Sequence, residues 1–167
     1  PQNPPQLRFD LPNCPDAHSD AAVTFCPADN TIAVDLPALE AMGAQSDDGT
    51  GLTTGDNTAY SVLVSRYMQS IQHERGGVAL DSAAAALRTA CLTGVATVKM
   101  THEVKTPDGN TIQLTAGDVD EAVSGILING LAASDVNGES VPSGFSRIDA
   151  FRVGVLGDED RCFKRFP

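Results

Sequence analysis

GDNTAYSVLVSRYMQSIQ, residues 55–72, is the stretch on which the fold turns. On a 3.6-residue period its apolar side chains fall at Tyr60, Leu63, Val64, Tyr67, Met68 and Ile71. That i, i+3, i+4, i+7, i+8, i+11 stripe predicts a buried amphipathic helix over 57–73. A second line, Val62, Ser65, Arg66 and Gln69, runs along another face. The first line is expected to pack, and the second carries whatever chemistry the helix has.

Downstream, Gly76-Gly77 stops the helix, and Asp81 or Ser82 caps the next one. The apolar line of that helix is Ala84, Leu87, Cys91, Val95 and Val98, and the alanines at 83–86 permit close helix–helix approach. Residues 104–112 read as a small hairpin around Pro107-Asp108-Gly109. Thr115 as N-cap, Asp118 at N3 and a Leu114–Val119 staple open a further helix to about Leu131. Its inner face is Ala122, Val123, Ile126 and Leu127. After a loop over 132–143, a last helix over 144–156 has Phe145, Ile148, Phe151 and Val155 as its inner stripe, leaving a tail pinned by Cys162.

Upstream, 44–55 is rich in Gly, Ser, Thr and Asp and predicts a mobile loop. Residues 36–42 make one or two helical turns started at Pro37, and 23–36 a hairpin around Pro27-Ala28-Asp29-Asn30. With five prolines, 1–22 read as an extended arm that becomes ordered near Cys14. The expectation is an α+β fold, helix-dominated, with one or two small β-hairpins: an arm over 1–22 and one domain over 23–167.

A chain of 167 residues with 41% hydrophobic and 20% charged side chains suits one domain with a real core. Trp is absent and aromatics are 5%, so the core rests on Val, Leu, Ile and Ala. Net charge is −11, from 11 basic and 22 acidic residues, which argues against a nucleic-acid partner and against an anionic membrane surface. No run approaches the ~18 apolar residues of a membrane span. The sequence starts at Pro1 rather than Met, so it is read as the C-terminal part of a longer exported protein whose upstream signal, anchor or domain was removed.

Four cysteines admit three pairings; we expect Cys14–Cys26 and Cys91–Cys162. The alternative is four buried free thiols in a cytosolic protein. Two disulfides point instead to an extracytoplasmic location, secreted, periplasmic or at the cell envelope.

Several short runs fall in a distinctive order. Gly55, Asp56 and Gln72 bracket the first helix, and Phe25-Cys26-Pro27 precedes Thr31-Ile32-Ala33-Val34-Asp35-Leu36. Then come Ala90-Cys91-Leu92-Thr93-Gly94, Gly117-Asp118-Val119-Asp120-Glu121-Ala122, and Ser143-Gly144-Phe145 leading to Arg147, Ile148 and Phe151, with Cys162 late. Over about residues 23–163 this order and spacing resembles the bacterial neutral zinc metallopeptidase-like family, whose first core helix reads roughly G-D-(apolar run)-H-E-x-x-H-x-x-Q. The resemblance implies a zincin-like helical core.

Departures from the family pattern govern the functional expectation. A zincin needs two imidazoles one helical turn apart and a Glu beside the first. Ser65, Arg66 and Gln69 stand at those positions. The family's third ligand falls at Ala86, and the Asp of its A-D-C motif at Ala90. Hydroxyl and amide are poor zinc ligands, and a guanidinium repels a metal and fails as a base. These five positions are therefore expected to outline a degenerate site, a binding cleft at most, with no catalytic residue, no metal and no cofactor. Arg66 should meet a carboxylate that locks the cleft, or capture the carboxylate of a ligand or peptide. His73-Glu74 is a solvated helix end, His18 and His102 lie in loops, and Asp118, Asp120 and Glu121 serve a helix's first turn.

What the resemblance implies is a catalytically inactive metallopeptidase-like domain of the cell envelope, acting as a binding or scaffolding module for a protein or peptide partner. The alternatives are a hydrolase with a rebuilt non-zinc site and a purely architectural domain of a larger envelope protein.

Overall fold

The computed structural model describes residues 2–9, 14, 22–44, 56–128 and 130–167. The predicted loop over 45–55, most of the arm between residues 10 and 21, and His18 within it lie outside the described residues. Among the described residues are six helices and two small sheets, a helix-dominated α+β fold.

The hairpin predicted over 23–36 is β2 (Val23–Cys26) against β3 (Thr31–Val34), antiparallel, with Val23 opposite Val34 and Cys26 opposite Thr31. Its turn places Asn30 at φ 53°, a left-handed conformation that Asn tolerates better than other side chains do. The arm is more ordered than expected. Its residues Gln6–Arg8 form β1, parallel to β3, giving the strand order β1-β3-β2. Gln6 donates to the Asn30 carbonyl at 3.2 Å, Asn30 Nδ2 to the Asn3 carbonyl at 3.2 Å, and Arg8 pairs with Asp29 at 2.9 Å. The signal for β1 is non-local, since the three residues Gln-Leu-Arg are too few to read as a strand and bury no face, and they become one because β3 offers an edge.

Every residue of β2 and β3 is buried. Their side chains form one core with Val62 and Val136, against which Leu63 and Tyr67 pack. Cys14 joins that core through its disulfide to Cys26, Cα atoms 5.3 Å apart. Asp35 caps α1 (Leu36–Gly43), its carboxylate accepting from the Ala38 N–H at 3.1 Å.

The helical half is built around α3 (Ala83–Met100), capped by Ser82, whose hydroxyl accepts from the Ala85 N–H at 3.1 Å. It lies between α2 (Asp56–Arg75) and α5 (Gly144–Val155). Gly94 and Gly154 set the α3–α5 crossing: a Cβ on either would run into the other helix's backbone, at Phe151 O and Cys91 O. A strand pair, β4 (Val104–Lys105) and β5 (Thr111–Ile112), forms the predicted excursion. It leads into α4 (Ala116–Ile128), which stops short of Leu131. The Thr115–Asp118 capping box forms as read, its carboxylate accepting from the Thr115 N–H and hydroxyl, both at 2.7 Å. Those bonds hold the Asp118 carboxyl below its usual range.

Two inner faces differ from expectation. On α5, Phe145 is 80% exposed while Arg147 is buried with Ala150, Phe151 and Gly154. The rotation follows from the close α3 contact, which needs the small residues inward, and from Arg147 reaching four carbonyls. Its Nε donates to Ile126 O, Nη2 to Leu127 O, and Nη1 to Val141 O and Pro142 O, at 2.6 to 3.1 Å. Two of those acceptors end α4, where the helix leaves carbonyls unpartnered and favours a cation. On α4, Ala122 and Ile126 are buried but Leu127 is half exposed.

The tail is a helix, α6 (Glu159–Arg165), capped by Asp158. Cys162 bonds to Cys91 of α3, Cα atoms 5.6 Å apart. Arg88 donates to the Phe166 carbonyl at 2.8 Å, and Arg75 lies 4.0 Å over the Phe163 ring. Reduction should add the hydrogens of two opened bridges to the intact mass. Opening the bridge across the 71-residue separation should cost about 4 kcal/mol in urea unfolding. An unchanged mass would overturn both pairings.

Candidate functional site

The central helix α2 is buried by its polar face. Thr58, Ser61, Ser65, Arg66, Gln69, Ser70 and Gln72 are all 7% exposed or less, with Val62 among them. The expected apolar stripe, Tyr60, Leu63, Val64, Tyr67, Met68 and Ile71, is only half buried. Hydrophobic periodicity named the wrong face as innermost because it cannot see that nearly every polar group there has a partner waiting, Gln69 Oε1 excepted. A buried polar group with its hydrogen bonds made is tolerated, whereas an orphaned one costs about 1–3 kcal/mol.

Arg66 is the centre of that network, 2% exposed. Its Nε donates to the Val23 carbonyl of β2 at 2.8 Å. Its Nη1 donates to Ser65 Oγ at 2.9 Å, Leu131 O at 3.0 Å and Ser134 Oγ at 3.0 Å. The expected carboxylate partner is absent among the described residues, carbonyls and hydroxyls taking its place. Burial lowers the guanidinium to about 10, with Asp135 at Coulomb range pulling it back up, so it stays charged at neutral pH. Gln69 Nε2 donates to the carbonyls of Ser134 and Asp135, both at 3.0 Å, while its Oε1 is buried without a partner. Ser65, 0% exposed, donates its hydroxyl to Val62 O at 2.6 Å.

The turn 131–135 thus closes over Ser65, Arg66 and Gln69. Ala86 is 1% exposed and floors a cavity of about 190 Å³ that Asp135 also lines. Ala90, fully buried, packs with Ile126, Ala132, Ala133, Ala150 and Phe151. All five positions therefore gather round the 131–135 turn, Ala90 within the core beneath it.

These residues do not fit zinc. The donors nearest the place are a hydroxyl already donating to Val62 O, a guanidinium, and one neutral amide oxygen. A zinc ion needs imidazole, thiolate or carboxylate donors converging tetrahedrally. Among the described residues no group of three or more His, Cys, Asp or Glu is gathered for a metal.

Two residues take roles that the sequence did not assign: Gln72 figures there only as part of a pattern, and Glu121, expected to serve the first turn of its own helix, lies beyond that turn. Gln72 bridges α2 to α3, its Nε2 donating to Thr89 Oγ1 at 2.8 Å and its Oε1 accepting from Arg88 Nε at 2.9 Å. Glu121 of α4 accepts from the Thr58 N–H at 2.9 Å and hydroxyl at 3.1 Å, capping the first turn of α2 from another helix. Partners 63 residues apart leave no local signal. His73 and Glu74 are exposed at the end of α2, as expected.

Fold and site together define a disulfide-bonded, helix-dominated α+β domain whose central helix is held by a buried polar network. Compared with known protein families, curated proteins and solved structures, the chain matches none. No helix of the described residues is long and apolar enough to cross a membrane.

Proposed function

We propose that this chain is a non-catalytic metallopeptidase-like module of the cell envelope that binds a protein or peptide partner. One observation carries the reading. The side chain at the position of the family's catalytic glutamate, Arg66, is buried and holds β2 to the 131–135 turn. A base must reach a metal-bound water, and this group is a permanent cation engaged in holding the fold. Ser65 makes no nucleophile either, since its hydroxyl donates to a carbonyl and accepts from a guanidinium, with no base hydrogen-bonded to it among the described residues. Two disulfides support an extracytoplasmic setting.

Metal analysis of the purified protein, with a broad peptidase screen in the presence and absence of chelator, tests the proposal. We expect no stoichiometric zinc, no chelator-sensitive cleavage, and co-purification of a partner from the native envelope. Stoichiometric zinc or chelator-sensitive cleavage would overturn it. Cleavage indifferent to chelator would point to a rebuilt hydrolase site.

A further inference from the structure

The cavity beneath the 135–142 turn has one buried wall and one open side. Ala86 and Asp135 are its buried floor, while Ala83, Glu139 and Pro142 stand exposed at its rim and Val141 is half buried. Asp135 is 6% exposed. Its Oδ1 accepts the N–H groups of Asn137 at 2.9 Å and Glu139 at 3.0 Å, and its Oδ2 accepts no hydrogen bond among the described residues. No cation of the described residues lies within ion-pair distance of it. The buried Arg66 guanidinium lies at Coulomb range but spends its hydrogen bonds elsewhere, so this nearly buried carboxylate keeps one oxygen unengaged in the floor of an open cavity.

We propose that this cavity receives one cationic side chain, a lysine or arginine of a bound peptide, with Asp135 and Glu139 as its anionic end and Ala83, Ala86, Val141 and Pro142 as walls for the methylenes. The inference rests on the binding-module reading and names what that module would grip. Size decides against a bare ion. At about 190 Å³ the space exceeds the ~150 Å³ that accommodates a benzene ring. Its walls offer mostly carbon, where a calcium ion would need six to eight oxygens.

Charge decides against an anion. The N-terminus of α3, at Ser82, brings about half a positive charge to the cavity. Burial first, and then the nearby Glu139 and Asp81, push the Asp135 carboxyl up. Three carboxylates outweigh that half charge and the Arg66 guanidinium at Coulomb range together. The wider surface agrees: Arg66, Arg88 and Arg147 are buried, whereas Asp135 is the one buried acidic residue among the described side chains of a chain with net charge −11.

Titration of the ¹⁵N-labelled chain with Nα-acetyl-lysine amide and Nα-acetyl-arginine amide, followed by amide chemical shifts, tests this, with Nα-acetyl-norleucine amide as the uncharged control. Saturable shifts at Ser82, Ala83 and the 135–142 turn are expected with the two cations and not with the control. Asp135→Asn keeps the Oδ1 acceptor that shapes the turn and should weaken binding at least about tenfold. Glu139→Gln, an exposed change, should weaken it with no effect on the urea midpoint. Shifts elsewhere, equal response to norleucine amide, unaltered affinity in both variants, or saturation by Ca²⁺ in place of the lysine derivative would each overturn the assignment. If the cavity fails while a partner still co-purifies, the module reading stands without it. Chelator-sensitive cleavage would strike that reading alone.

Discussion

Arg66→Glu should leave the chain unfolded, and Arg66→Ala should lower stability by about 3–5 kcal/mol. In the alanine variant the Val23 carbonyl and the Ser134 hydroxyl lose the guanidinium as donor, the Leu131 carbonyl still accepts from Ser134, and a guanidinium-sized void opens between α2, β2 and the 131–135 turn. Each orphaned buried acceptor costs about 1–3 kcal/mol, and the void adds its own term. Glutamate is worse because it sets an anion among oxygens that already point their lone pairs inward. An uncompensated buried charge on top of the lost bonds exceeds what a domain of roughly 5–15 kcal/mol can absorb. The comparison is Arg8→Ala, which removes a partly exposed ion pair and should change stability by about 1 kcal/mol or less. Urea unfolding followed by circular dichroism reads all three. An Arg66→Ala midpoint within error of the parent would mean that the guanidinium does not hold the turn.

Much of this fold was legible in local patterns. Capping residues placed the starts of α3 and α4, and the Pro27-Ala28-Asp29-Asn30 turn placed the β2–β3 hairpin. Cysteine spacing gave both bridges. What stayed hidden depends on partners distant in sequence. Strand β1 exists because β3 offers an edge 25 residues further on. Helix α6 is short, and its interior pins, Cys162 to Cys91 and Arg88 to Phe166, reach back to α3. The site was half legible: Ser65, Arg66 and Gln69 could be singled out as a line, but not as the innermost one. Three buried arginines, Arg66, Arg88 and Arg147, share the reason. Each looks like surface in a hydropathy scan and each donates to two or more backbone carbonyls that the chain alone does not advertise.

Gly154→Ala should destabilise the domain by about 3 kcal/mol, lowering Tm by roughly 10 °C. Helix propensity argues the opposite sign, since alanine in a helix is favoured over glycine by about 1 kcal/mol. Packing wins because the added Cβ would meet backbone: the Cys91 carbonyl oxygen, its carbon at 2.7 Å and the Val95 nitrogen at 3.0 Å. A flexible side chain could rotate aside, but two helix backbones can only separate. Separation would pull α5 from α3 along a contact that includes Ala90, Ala150 and Phe151, all 3% exposed or less. Gly94→Ala meets the same obstacle from the other side, against the Phe151 carbonyl and the Val155 nitrogen at 3.1 Å. Since one separation relieves both clashes, the double variant should lose clearly less than the sum of the singles, a coupling of about 1 kcal/mol or more. Full additivity would mean that each methyl is accommodated locally. The crossing at Gly94 and Gly154 would then not be what fixes the distance between α3 and α5, and with it the seat of Ala86 and Ala90 beneath the 131–135 turn.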